Sequence, residues 1–111
     1  MTFNATLEHN GSIAQIELSG ELDAKSAPMF KEEVEQAATL GVEKLVLSME
    51  NLSYLSSAGL RVLIFAKQKM GTGVDIYLIS PQEMVLETIQ KTGFHHSVEI
   101  LDEFEFPQFD G

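Results

Sequence analysis

Between Lys44 and Met70 the sequence changes its hydrophobic period. A short continuous apolar run, Lys44-Leu45-Val46-Leu47-Ser48, gives way to a helical spacing that begins near Ser57. The run is of the type found in buried parallel strands. The segment Asn51-Leu52-Ser53-Tyr54-Leu55-Ser56-Ser57-Ala58-Gly59-Leu60 carries it into the helix. A strand that feeds a helix this directly points to an α/β arrangement, and it also delivers hydroxyl groups to a helix N-terminus. Free backbone N–H groups and the positive end of the helix dipole favour negative charge there. Ser56, Ala58 and Gly59 are small and leave the approach to Ser57 open. Two readings follow. Ser56 or Ser57 is an N-cap that serves stability alone, or the serine accepts a phosphate and gives it up again.

The remaining elements fit around this unit. Phe3 to Glu8 and Ile13 to Leu18 read as strands joined by His9-Asn10-Gly11-Ser12, and Asn-Gly between apolar runs is a strong hairpin signal. Gly20 is expected to break the second strand. From about Ser26 the residues Ala27, Phe30, Val34 and Ala37/Ala38 recur at helical spacing, with Pro28 in the first turn and Gly41 at the stop. A second helix is predicted over Ser57 to Met70, a strand over Val74 to Ile79, a third helix over Pro81 to Lys91 and a last strand over Val98 to Ile100. A hairpin followed by alternating helix and strand implies an α/β fold: a small mixed sheet with helices packed on it, in a single domain spanning residues 1–111.

Composition narrows the function. The formal charge is −10, which argues against nucleic acid and anionic membranes as partners, since both require a basic patch. Such a surface steers a basic protein partner, and it also serves solubility. No apolar run approaches a membrane span, so no membrane insertion is expected. The sequence contains no cysteine; this excludes thiol-based metal or redox chemistry and fits a cytoplasmic location. No metal site is expected either: His95-His96 are adjacent, and no third ligand is evident. A triad of Ser57 with one of these histidines lacks the Gly-x-Ser-x-Gly elbow. Gly71-Thr72-Gly73 precedes a strand, the wrong order for a phosphate loop.

Three blocks in order resemble the STAS domain, the family of sulphate transporters and anti-sigma factor antagonists. They are Gly20-Glu21-Leu22-Asp23 with Ala24-Lys25-Ser26-Ala27-Pro28, then Leu45 to Leu60, then Thr92-Gly93-Phe94. In the family the middle block is a strand ending in Asp, a short turn, and Asp-Ser-Ser/Ala-Gly-Leu opening a helix. Ser57 matches the phosphorylatable serine. Ser48 and Ser56 stand where the family usually has Asp. The resemblance implies an anti-sigma factor antagonist: a non-enzymatic switch, with no cofactor, that binds an anti-sigma factor acting as serine kinase and is reset by a serine phosphatase. It places Asp23 on the rim near the phosphoserine, whereas its position in a loop entering the first helix favours a capping role. The rival within the family is a STAS module without phosphoregulation, such as a small subunit of a membrane transporter or a scaffold.

On a helical projection of Ser57 to Met70, Leu60, Leu63, Ala66, Lys67 and Met70 share one side, with Ile64 at its border. Ser57 and Arg61 fall on the other, and Phe65 lies between Arg61 and Lys69 with no evident core to enter. Phe65 is therefore either covered by the third helix or a loop, or an aromatic anchor for a partner; Val62 shares the ambiguity. The partner-binding set expected from the sequence is Asp23, Ser56, Ser57, Ala58, Gly59, Arg61 and Phe65. In the tail, Pro107 would interrupt the family's final helix, and Phe104, Phe106 and Phe109 are expected to pack back on the domain.

Overall fold

The computed structural model describes residues 3–103. Strands β1 (Asn4–Asn10) and β2 (Ile13–Leu22) form the expected antiparallel hairpin. Asn10 pairs with Ile13, so the connection is the two residues Gly11-Ser12, shorter than the sequence suggested. Then follow α1 (Ala27–Ala38), β3 (Lys44–Leu55), α2 (Ser57–Met70), β4 (Asp75–Ile79), α3 (Glu83–Lys91), a turn of 3₁₀ helix at Phe94–His96, and β5 (Glu99–Leu101). The sheet order is β1-β2-β3-β4-β5, and every pair after the hairpin is parallel. Phe104, Phe106 and Phe109 lie outside the described residues.

Two expectations are corrected. Gly20 does not break β2, which continues to Leu22. It sits at φ 89°, a region that costs a residue with a Cβ dearly and glycine little, and so carries the strand through an irregularity. Likewise, the strand expected over Lys44 to Ser48 does not end there: β3 extends along the second half of β2, pairing Ser19 with Asn51 and Leu22 with Leu55. The register shifts between Glu17 and Ser19 and again between Gly20 and Glu21, each time with an extra residue on β3. Bulges of this kind destroy the two-residue alternation by which a strand is recognised.

Ile16 and Leu18 of β2, Leu45 and Leu47 of β3 and Leu78 of β4 meet Phe30 and Val34 of α1, Leu63 of α2 and Val85 and Ile89 of α3 in one buried cluster. All three helices therefore lie on the same face of the sheet. The opposite face holds a separate small cluster of Ile13, Val46 and Ile79, with Tyr77 packed beside it.

Candidate functional site

The pairing of β2 with β3 brings two loops together. β2 ends at Leu22 and β3 at Leu55, paired side by side, and the Ser56 N–H donates to the Leu22 carbonyl at 2.9 Å. Asp23 and the start of α2 therefore emerge at the same corner of the sheet.

At that corner three neighbouring hydroxyls have different tasks. Ser53 Oγ donates across to the Gly20 carbonyl at 3.1 Å. Ser56 is the N-cap of α2, and its Oγ accepts from the Gly59 N–H at 3.1 Å. Ser57, the first helical residue, is exposed, and among the described residues no hydrogen bond engages its hydroxyl. Cap and candidate acceptor are thus different residues. Ser56 also accounts for one departure from the family pattern: Asp and Ser are comparable N-caps, so serine keeps the cap and removes a negative charge beside Ser57.

Gly59 shows how closely the helix start is seated. A Cβ there would lie 2.6 Å from Leu22 Cγ and 2.9 Å from Leu55 Cδ1. The first turn of α2 is pressed directly onto the ends of the two strands that define the corner, which fixes where Ser57 stands. Ala58 is half-buried beside it.

Asp23 acts chiefly within its own loop. Its Oδ1 accepts from the backbone N–H groups of Lys25 and Ser26, both at 3.0 Å, and from Ser26 Oγ at 2.9 Å. Ser26 Oγ also accepts from the Asp23 N–H at 2.9 Å. These bonds hold the Asp23 carboxyl below the usual aspartate value, the Ser26 backbone bond contributing most and the Ser26 hydroxyl next. The capping reading of Asp23 is therefore corrected: the N-cap of α1 is Ser26, no side chain caps that helix, and Asp23 instead braces the loop before it, beside the α2 start.

Down α2 the buried residues are Gly59, Leu60, Val62, Leu63 and Ala66. The buried stripe is rotated toward Val62 relative to the projection, Lys67 is only half-buried, and Ile64 is exposed at 38%. Arg61 is exposed, one turn after Ser57. Phe65 does have a place: its half-buried ring packs against the core cluster, and Lys31 Nζ of α1 lies 4.9 Å from the ring centroid. Sequence reading missed this contact because it depends on how α1 lies against α2. Ser48, the other departure from the family pattern, lies within β3 on the open sheet face, lining a cavity with Gln15 and Glu50. Among the described residues no cluster could hold a metal ion, and no helix is long and apolar enough to cross a membrane.

Relatives share this architecture. The chain is 27% identical over 101 residues to the anti-sigma-B factor antagonist of Bacillus subtilis, covering 90% of this chain and 92% of that protein. It is 30% identical over 93 residues to the anti-sigma-F factor antagonist RsfA of Mycobacterium tuberculosis, covering 81% and 73%. Its fold is similar to that of an anti-sigma factor antagonist from Mycobacterium paratuberculosis, with TM-score 0.86, 18% identity, and 94% and 89% coverage. It is also similar to that of the antagonist SpoIIAA in its unphosphorylated form, with TM-score 0.78, 21% identity, and 92% and 90% coverage. The STAS domain model matches residues 4–106, and the chain belongs to the STAS domain family.

Proposed function

We propose that this protein is an anti-sigma factor antagonist, a binding protein that occupies an anti-sigma factor with serine kinase activity and is released when Ser57 is phosphorylated. A serine phosphatase then restores the binding form. The observation that supports this reading is the division of labour at the α2 start: Ser53 and Ser56 hold structure, while the Ser57 hydroxyl is exposed and, among the described residues, unengaged.

A phosphate adds about −1.5 to −2 charges. At an exposed helix N-terminus such charge gains only about 0.3–1 kcal/mol, so the fold is little disturbed. Inside a complementary interface the same charge meets desolvation and repulsion. A loss of about 2.7 kcal/mol, a hundredfold in affinity, is the expected scale. Incubation with an anti-sigma factor kinase from the same genome and ATP, followed by mass-spectrometric mapping, tests the assignment. Phosphate on Ser57 is expected, and phosphate on Ser56 or Ser53 alone refutes it.

The proposed contact face runs from the Asp23 loop over Ser56, Ser57, Ala58 and Gly59 to Arg61, with Phe65 at its border. Because Phe65 also joins α1 to α2, Phe65→Ala is expected to lower both partner affinity and folding stability. About 2 kcal/mol of stability, roughly half the loss for a fully buried phenylalanine, is the expected cost by urea denaturation. Arg61→Ala is expected to leave stability unchanged and to alter mainly the association rate and its salt dependence.

A further inference from the structure

The sequence has seven basic residues, and Arg61 is the one arginine among them. It stands four residues after Ser57 on α2 and is exposed, and among the described residues no hydrogen bond or ion pair engages its guanidinium. Residues three and four apart on a helix are surface neighbours, about 5–6 Å between Cβ atoms. Those neighbours of Arg61 are Ser57, Ala58, Ile64 and Phe65, none of them charged. The other cations of α2, Lys67 and Lys69, lie in its last turn. On α1, Lys31 lies over the Phe65 ring, one turn further along α2 than Arg61. The remaining charges at the corner are Glu21 at the end of β2 and Asp23 and Lys25 in the loop before α1. That loop already engages the Asp23 carboxylate.

We propose, on the reading of Ser57 as the acceptor, that Arg61 receives the phosphate: its guanidinium closes an intrahelical ion pair once Ser57 is phosphorylated. A phosphate offers three acceptor oxygens, and a planar guanidinium meets two of them with parallel N–H donors, which a lysine ammonium does not. The polarity is the favourable one, with the anion four residues N-terminal to the cation. Before modification Arg61 has no charged neighbour on its own helix and is available to the anti-sigma factor on the proposed contact face. Afterwards the phosphate holds it. Phosphorylation therefore acts twice at this face: it adds negative charge at Ser57 and withdraws Arg61 as a contact. Both favour release.

Phosphoserine placed at position 57 during synthesis of the full chain tests the pair whether or not a kinase selects Ser57. A kinase that leaves Ser57 unmodified refutes the acceptor; the measurements on the synthetic phosphoprotein refute only the role of Arg61. With one arginine in the sequence, the side-chain Nε–H gives a single NMR signal. At neutral pH and low ionic strength, where screening is weak, that signal is expected to move downfield and to exchange more slowly with water in the phosphorylated chain. A nearby positive charge favours the phosphate dianion. The midpoint of the phosphate titration, followed by phosphorus NMR, is therefore expected to rise by about 0.3 pH unit or more in Arg61→Gln. Arg61→Lys is expected to fall between the two, and Lys25→Gln to leave the midpoint unchanged. An unmoved Nε–H signal overturns the pair. So does a midpoint that Arg61→Gln leaves in place, including the case in which Lys25→Gln shifts it and assigns the phosphate to the loop before α1.

Discussion

Helices α1 and α2 start at the ends of paired strands, and the two starts are built on different principles. The α1 start is closed upon itself. Asp23 spends its carboxylate on Lys25 and Ser26, the Ser26 hydroxyl answers back, and no side chain caps the helix directly. The α2 start has one neutral cap bond, from Ser56, and one close backbone approach, at Gly59. Neither first turn contains an acidic residue. At α1 a negative charge is already built into the adjoining loop. At α2 the dipole faces an exposed hydroxyl with no carboxylate in that turn. The first is architecture; the second can accept an added charge without displacing existing bonds.

The largest effect is expected where the α2 start touches the sheet. Gly59→Ala would ordinarily gain about 0.5–1 kcal/mol from helix propensity. Here the added methyl meets Leu22 and Leu55, both buried, at 2.6–2.9 Å. Overpacking in a filled core costs about 1–3 kcal/mol and outweighs the gain. Urea denaturation is expected to show net destabilisation, and α2 must shift to relieve it, moving Ser57. A stabilised Gly59→Ala protein would mean that the α2 start is as loosely seated as an ordinary surface helix.

Next comes the cap. Ser56→Ala leaves the Gly59 N–H without its partner and is expected to cost about 1 kcal/mol, whereas Ser56→Asp retains the bond and remains near wild-type stability. If the alanine variant is equally stable, Ser56 is not holding the helix start, and the separation of roles between Ser56 and Ser57 fails.

Much of this corner was legible from residue order. The change of period after Ser48, the serine pair and the small residues located the α2 start, and α2 spans Ser57–Met70 as expected. The hairpin and the buried face of α1 were equally readable, because turn residues and helical spacing are local signals. What escaped was set by pairing. Gly20 looked like a strand end, and β3 looked as if it stopped at Ser48, because the bulges between β2 and β3 disrupt alternation in both segments. How tightly Gly59 is held and why Phe65 is not idle depend on Leu22 and Lys31, which are distant in sequence.

A smaller, pH-dependent effect should separate the two starts. Asp23 has its carboxyl held below the ordinary value of 3.8 by Ser26. A lowered folded pKa means that its stabilisation is complete above the ordinary carboxylate range and is lost as pH falls through that range to the folded value. Asp23→Asn is therefore expected to be less stable than wild type at neutral pH, with the difference closing in acid. Ser56→Ala, which removes no titrating group, should show the same deficit at both pH values. A pH-independent gap for Asp23→Asn would indicate that the loop depends on shape and hydrogen bonding alone.

The smallest stability effect is expected at Ser57 itself, and its smallness is informative. The hydroxyl makes no hydrogen bond among the described residues, so Ser57→Ala forfeits no contact and should remain within about 0.5 kcal/mol of wild type, as exposed surface changes usually do. Ser57→Asp places a charge at the open end of the dipole and should gain about 0.3–1 kcal/mol. That gain should shrink as salt is raised, because the site is exposed to solvent. Measured as a pair by urea denaturation at low and high ionic strength, the variants separate charge from side-chain replacement. A large loss in Ser57→Ala would make Ser57 a structural residue like Ser56. A loss in Ser57→Asp that grows at low salt would show that nearby acidic residues, and not the helix dipole, dominate the potential at this corner. In either case the α2 start would no longer differ from the α1 start in its readiness to receive negative charge.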